Sequence, residues 1–483
     1  MNLHLRVLIN ALAALVAVGG AAMLVPAAYS LLAGQDDDSW VFWLPGGGAL
    51  ALGVALFFLS RSPSGYTSRQ TVFLVVVVGW LGVAVVGALP FFLAGLMGPV
   101  DAFFNSMAGF TTTGAATVAP EELSESLLLW RSVSQWMGGV GIIVLFVAAA
   151  PLLGVGATQL YEAEAATPVS GRMTSRIRDT AKILAYVYGG LTLGGIVSLH
   201  LAGMGTFDAV NHTLATVSTG GYSTRSESVA AFDSGVVELA IAVGMVLSGT
   251  NFAIYYTAAQ HGLGRAVGNA ELITYLGVIL ASTLLITVTL YASDYRGSLA
   301  LALREAFFQS ASLTTGTAFT SADWSAWPPF AVAILVLLMA LGGCAGSTSG
   351  GIKMVRVYLL ARHVGQNLLS MVHPRAVTPL VLGDRIVPER MRVAVLSFFF
   401  FYAGTLTVGT LLIALHGIPM AEAFGLVFAC VNITGTFTGA VGSAQFYADL
   451  PATAKLTLTG FMLLGRLELL TVLVVLSPAF WRR

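Results

Sequence analysis

Four short strings, TTTGA, STGGY, TGTAF and ITGTF, recur at wide intervals along a chain whose remaining residues are mostly apolar. An acid and an alanine open the segment leading to each: Asp101-Ala102, Asp208-Ala209, Glu305-Ala306 and Glu422-Ala423. Twelve residues beyond each alanine, without gaps, stand Gly114, Gly221, Ala318 and Gly435. The residues just before them are Thr113, Gly220, Thr317 and Thr434, preceded in turn by Thr112, Thr219, Gly316 and Ile433. Main-chain oxygens carry the chemistry open to such strings. Glycine permits dihedrals that turn successive carbonyls the same way, and four strands ringed about one axis replace the lost water of a bare monovalent cation. One match alone is the ordinary Gly and Thr content of membrane proteins, whereas four at one interval read as a duplicated pore unit.

Each acid is expected to begin a short helix, where a carboxylate satisfies free N–H groups and favours the positive helix end. About ten residues of helix span only ~15 Å, half a bilayer, so the segment must enter and return. Its negative C-terminal end then points toward the membrane centre, where it stabilises a dehydrated cation. The Gly/Thr stretch that follows is irregular backbone, which membrane depth tolerates only inside protein or along a wet cavity.

Apolar runs must hold these units in place. The chain is 57% apolar and only 10% charged, far from the roughly one-quarter charged content of soluble domains. About ten runs are long enough to span a bilayer: Val7 to Leu32, Trp40 to Leu59, Val72 to Leu96, Leu127 to Leu153, Ile183 to Leu201, Val236 to Ala259, Leu272 to Tyr291, Phe330 to Leu360, Val393 to Leu415 and Leu456 to Leu476. The first lacks a signal-like cleavage site and is expected to be mature structure. With the N-terminus inside, sixteen of the 23 basic residues fall on inner segments and five outside. That bias predicts a multi-pass protein with both termini cytoplasmic.

Cys344 and Cys430 lie in apolar segments, which points to neither a disulfide framework nor a thiolate metal site. The histidines, including His200, His212, His261, His363, His373 and His416, fall near helix ends or loops, where an interfacial role is expected. GCAGSTSGGIK invites a phosphate-loop reading, but it lacks the Gly-Lys-Ser/Thr ending and sits within a span. No metalloprotease or nucleophile-elbow motif occurs. The chain is therefore expected not to be an enzyme and to carry no organic cofactor, and any nucleotide dependence would belong to a separate protein.

The four loops, the string WRSVSQWMGGVGII from Trp130 with the following PLLGVG, the string GGCAGSTSGGIK ending at Lys353, and GRLELLTVL around Arg466 together resemble the Trk/Ktr/HKT superfamily of potassium transporters, most of all its TrkH-type bacterial membrane subunit. The resemblance covers nearly the whole chain. It implies an all-α polytopic membrane fold: a helix pair over 1–69, then pore repeats over 70–160, 161–262, 263–365 and 366–483. It also implies K+ as the transported ion, a homodimer in the bacterial inner membrane, and a cytosolic nucleotide-binding regulatory ring of RCK type, like TrkA, as partner. No nucleic-acid partner is expected.

On this resemblance the K+ filter comprises Thr112, Thr113, Gly114, Thr219, Gly220, Gly221, Gly316, Thr317, Ala318, Ile433, Thr434 and Gly435. Ala318 departs from the pattern, and a shift of one or two residues would use Gly316 instead. The gapless register is favoured because Phe319, Asp323 and Trp327-Pro328 then also match. Alanine resists positive φ, so looser discrimination of K+ over Na+ is expected, while Gly114 matches the K+-transporting form.

Lys353 and Arg466 fall deep in apolar runs, where a charge costs ~2.5–3.5 kcal/mol even on lenient scales. Arg466 is either an ion-pair partner of Glu468 or of an acid elsewhere or, as the resemblance implies, a pore barrier below the filter. Glycines 342, 343, 346, 350 and 351 precede Lys353 and should break the helix, at ~1 kcal/mol each relative to alanine. The resemblance makes Gly346, Ser347, Gly350, Gly351 and Lys353 an intramembrane gate; close helix packing is the plainer alternative. A secondary transporter binding a small solute at a midplane helix break calls for inverted repeats, whereas these four share one orientation. A non-conducting scaffold leaves the costly re-entrant loops without a purpose.

Overall fold

The structure, a computed structural model, describes residues 3–34, 36–61, 69–153, 173–294, 297–374, 379–383 and 385–482. Helices Leu5–Leu32, Ser39–Leu59, Gln70–Leu93, Lys182–Leu201, Ala270–Ala292 and Glu389–Ala414 are long and apolar enough to cross a membrane. In hydrocarbon a helix satisfies its own backbone, so such runs have no competing fold. Val18, Val85, Leu193, Leu280 and Leu411 are exposed on their outer faces, as lipid-facing positions require. The fold is an all-α polytopic membrane protein; among the described residues the only sheet is a two-stranded ribbon, Val381–Leu382 against Arg385–Ile386.

The first two helices, Leu3–Leu32 and Asp36–Leu59, pack through small residues. A Cβ on Gly53 would stand 2.6 Å from the Ala17 nitrogen, and one on Gly20 would stand 2.6 Å from the Gly46 carbonyl. After them come four short helices, Pro99–Phe110, Thr206–Val217, Leu299–Thr315 and Met420–Val431. Three have 12 residues and one has 17. Twelve residues span ~18 Å, which confines the chain to part of the membrane depth. These helices are the buried centre of the molecule: Phe104, Met107, Ala209, Ala306, Leu426 and Ala429 are shielded almost completely.

Three runs that read as continuous spans are broken. Gly235–Ser248 meets Phe252–His261 at 86°, and Ala452–Arg466 meets Leu469–Leu476 at 117°. Asn251 caps the second piece of the former, its side chain accepting the Ala253 N–H. Glu468, at φ 58°, turns the chain in the latter. The third break was foreseen from its glycines: Pro329–Leu341 ends before Gly342 and Met354–Val372 resumes after Lys353. By contrast Glu125–Leu153 runs on as one helix of 29 residues. The repeat division at 160/161 lies outside the described residues, and the one at 365/366 falls inside Met354–Val372.

The opening acids do not cap as expected. Asp101, Asp208 and Glu422 lie in the first turn of their helices, but no side chain caps those N-termini. Asp101 instead accepts from Lys455 at 2.5 Å, and Asp208 accepts the Thr224 hydroxyl at 2.6 Å. Glu305 is internal, because the third helix begins at Leu299 with Ser298 as its cap. Two basic residues are buried within helices, Arg131 and Lys455. Lys455 is neutralised there by Asp101, and Arg131 lies over the Tyr222 ring. His212, expected near an interface, is fully buried and bonded to the Asp208 carbonyl and the Ser223 hydroxyl.

Candidate functional site

Each short helix delivers its carboxyl end into a stretch with the same backbone. The residues at the ring positions have positive φ in all four copies: Gly114 79°, Gly221 75°, Ala318 60° and Gly435 58°. So do the residues two before them: Thr112 55°, Thr219 54°, Gly316 75° and Ile433 59°. Alternation of this kind is strained for residues with a Cβ, so its repetition at three threonines or isoleucines and an alanine marks a backbone that the surroundings impose.

Hydrogen bonding gives the same register. Gly114, Ala318 and Gly435 each donate to a carbonyl six residues back, on Ala108, Ser312 and Ala429. Ala318 therefore stands where the three glycines stand, and Gly316 is the counterpart of Thr112. Alanine adopts the left-handed conformation rather than displacing its strand.

The four stretches meet in a closed circuit. A Cβ on Gly114 would collide with the Gly220 carbonyl oxygen, one on Gly221 with that of Thr317, and one on Gly435 with that of Thr113. The remaining junction is looser, with a Gly316 Cβ position 3.5 Å from the Ile433 oxygen. First touches second, second third, third fourth, and fourth first. Thr112, Thr113, Thr219, Thr317 and Thr434 are buried in this assembly. Among the described residues no three His, Cys, Asp or Glu side chains gather as a metal-ion site. What the circuit offers a cation is oxygen dipoles, the ligand type suited to weakly held monovalent ions.

The broken segment between Leu341 and Met354 lies against these stretches. The Ser349 Oγ donates to the Thr315 carbonyl at 2.6 Å, and the Thr348 Oγ1 to that of Val217 at 3.0 Å. A Cβ on Gly350 would stand 2.6 Å from the Asn432 oxygen, and one on Gly346 3.0 Å from Asn251 Oδ1. Gly342, Gly346, Gly351 and Lys353 all have positive φ, from 74° to 77°. The Lys353 Nζ turns back to the Ser349 carbonyl. Ser347 closes its own turn, with its Oγ donating to Cys344 at 2.6 Å. Of the five residues expected to form a gate, Gly346, Gly350 and Lys353 thus touch other elements or fold the loop, and Gly351 packs on Gly342.

Arg466 comes up against this segment from the fourth repeat. Its Nη1 donates to Thr348 and its Nη2 to the Gly138 carbonyl at 2.9 Å, while the side chain is buried. The suggested pair with Glu468 does not form. Glu468 takes Arg356 at 2.5 Å, since the 117° turn separates it from Arg466.

Sequence reasoning missed several participants. Glu271 Oε1 accepts the N–H of Ala345 at 2.7 Å and of Val355 at 3.2 Å, tying both sides of the loop to one buried carboxylate. Gln135 bonds to the Gly220 carbonyl. An acid at the start of a span and an amide in the middle of one were the available signals, and each reads equally as a helix cap or a buried satisfied polar group.

The geometry can be set beside known proteins. A family model described as "TrkH: Cation transport protein" matches residues 46–266 and 271–483. The Trk system potassium uptake protein TrkH of Escherichia coli K12 is 36% identical over 99% of this chain and its own full length. TrkG of the same organism, likewise a Trk system potassium uptake protein, is 32% identical over 99% of both chains. The crystal structure of the potassium transporter TrkH from Vibrio parahaemolyticus superposes with a TM-score of 0.90 at 34% identity, covering 99% of this chain and 100% of that one.

Proposed function

The chain belongs to the TrkH family of cation transport proteins, and from that premise we propose that it is the ion-conducting subunit of a potassium uptake system. The observation that carries this reading is the closed circuit of four stretches with one alternating backbone. A K+ ion, the substrate, sheds water and is held by main-chain oxygens of the stretches ending at Gly114, Gly221, Ala318 and Gly435. Rb+ passes by the same route, and Na+ to an appreciable extent because Ala318 takes a glycine's place.

In this reading the segment from Gly346 to Lys353 is the gate. It lies between the circuit and Arg466, whose charge opposes free leakage and speeds release. A cytosolic nucleotide-binding ring of RCK type moves the gate, the subunit works as a homodimer in the bacterial inner membrane, and both termini face the cytoplasm. The distribution of basic residues supports that orientation.

Flux into liposomes tests the proposal. The purified chain should pass K+ and Rb+, with measurable Na+, and respond to nucleotide only when the regulatory ring is added. Absence of K+ and Rb+ flux both with and without the ring would overturn it.

A further inference from the structure

Arg131 and Gln135 stand one turn apart on the buried face of Glu125–Leu153, outside the twelve ring positions. The Gln135 Nε2 donates to the Gly220 carbonyl at 2.6 Å, and its Oε1 accepts the Tyr222 N–H at 3.2 Å. One amide therefore holds the main chain on both sides of Gly221, and the two bonds together fix which end is nitrogen. The same Nε2 lies 3.6 Å from where a Cβ on Gly114 would stand. The side chain is wedged between the first and second stretches.

Tyr222 returns the link. Its hydroxyl donates to the Ala115 carbonyl at 2.9 Å and lies 3.3 Å from that of Asn105. The Arg131 guanidinium sits 4.1 Å from the Tyr222 ring centroid, and its Nε and Nη1 are buried with no hydrogen-bond partner among the described residues. A desolvated cation over an aromatic face holds that face firmly. In the other two loops the comparable bonds stay within one repeat: Tyr447 donates to Gly435 at 3.1 Å, and Ser312 to Phe319 at 2.7 Å.

We propose that Gln135, with the Tyr222 and Arg131 stack, determines cation specificity by setting the gap between the first two stretches. It also takes one of the two lone pairs of the Gly220 carbonyl, which weakens that oxygen as a cation ligand. The inference rests on the reading of the four stretches as the ion filter.

The test is the Na+ to K+ permeability ratio of reconstituted variants, a quantity indifferent to how much protein folds. Gln135→Met removes both bonds at similar volume, and Tyr222→Phe removes only the hydroxyl while keeping the ring under Arg131. The ratio should rise about threefold or more in Gln135→Met and in the same direction, by less, in Tyr222→Phe. If Gln135→Met yields no folded protein, Tyr222→Phe decides alone. An unchanged ratio in the folded variants overturns the inference while K+ conduction by the wild type stands; no K+ flux through the wild type overturns the filter reading itself.

Discussion

Arg466 Nη1 donates to the main-chain carbonyl of Thr348 at 2.8 Å, so a buried cation from the fourth repeat is fastened to the middle of the broken segment of the third. The same guanidinium reaches Gly138 of the first repeat. The charge is held by carbonyl dipoles, with no carboxylate paired to it among the described residues.

Replacing Arg466 by alanine should therefore raise basal Rb+ flux. A unit charge ~10 Å from a passing cation, at an effective dielectric of ~20, costs about 1.7 kcal/mol, roughly 15- to 20-fold in rate. Tracer uptake into liposomes without the regulatory ring measures this, and flux equal to or below wild type would contradict the barrier role.

Ala318 and Gly221 should respond in opposite senses to exchange of their residue types. Ala318→Gly removes a left-handed alanine and should stabilise the fold by about 1 kcal/mol, with less Na+ competition in Rb+ uptake. Gly221→Ala drives a Cβ into the Thr317 carbonyl and should abolish flux. Thermal unfolding in detergent and competition assays check both.

Glu271 provides a prediction about the loop rather than the ring. Glu271→Ala strips the acceptor from two amides, Ala345 and Val355, at about 1–3 kcal/mol for each one left buried and unbonded. The segment should loosen, with lower thermal stability and raised basal flux together. A variant as stable and as tight as wild type would refute it.

A pH effect belongs to the loop that holds Glu121. Glu121 accepts the Ser226 N–H at 2.7 Å and its hydroxyl at 2.5 Å, joining first and second repeats. Burial alone would raise its pKa, but the bonds from Ser226 and the charge of Arg225 outweigh that and hold it below the ordinary 4.5. A depressed folded pKa gives stability that is present above the unfolded value and lost as pH falls through the folded one. Melting temperatures of wild type and Glu121→Gln should differ at neutral pH and converge as pH drops from ~5 to ~3.

Much of this was legible in advance, because membrane depth leaves the backbone few options. The spacing from Ala102, Ala209, Ala306 and Ala423 locates the four stretches, and the glycines before Lys353 locate one break. The breaks at Gly249 to Asn251 and at Leu467 to Glu468 were not legible. Asn251 caps the helix after the first and Glu468 turns the second at positive φ, but a 24-residue apolar run looks the same bent or straight. The partner of Glu468 was hidden for a related reason: proximity in sequence to Arg466 says nothing once the chain turns by 117° between them. The flanking Phe319, Asp323 and Trp327-Pro328 favour the gapless register for Ala318, and its dihedral and its bond to Ser312 agree with it.

The inner helices differ in one mechanical respect. Glu125–Leu153 is a single stiff rod, whereas its counterparts in the other three repeats are jointed just beneath the ring. A push applied at the far ends would be taken up at the joints of those three. Along the rod it would travel undiminished from Leu153 to Gln135, which rests directly on Gly220. The first repeat thus offers an unbroken shaft from Leu153 to the circuit, where its three counterparts are jointed.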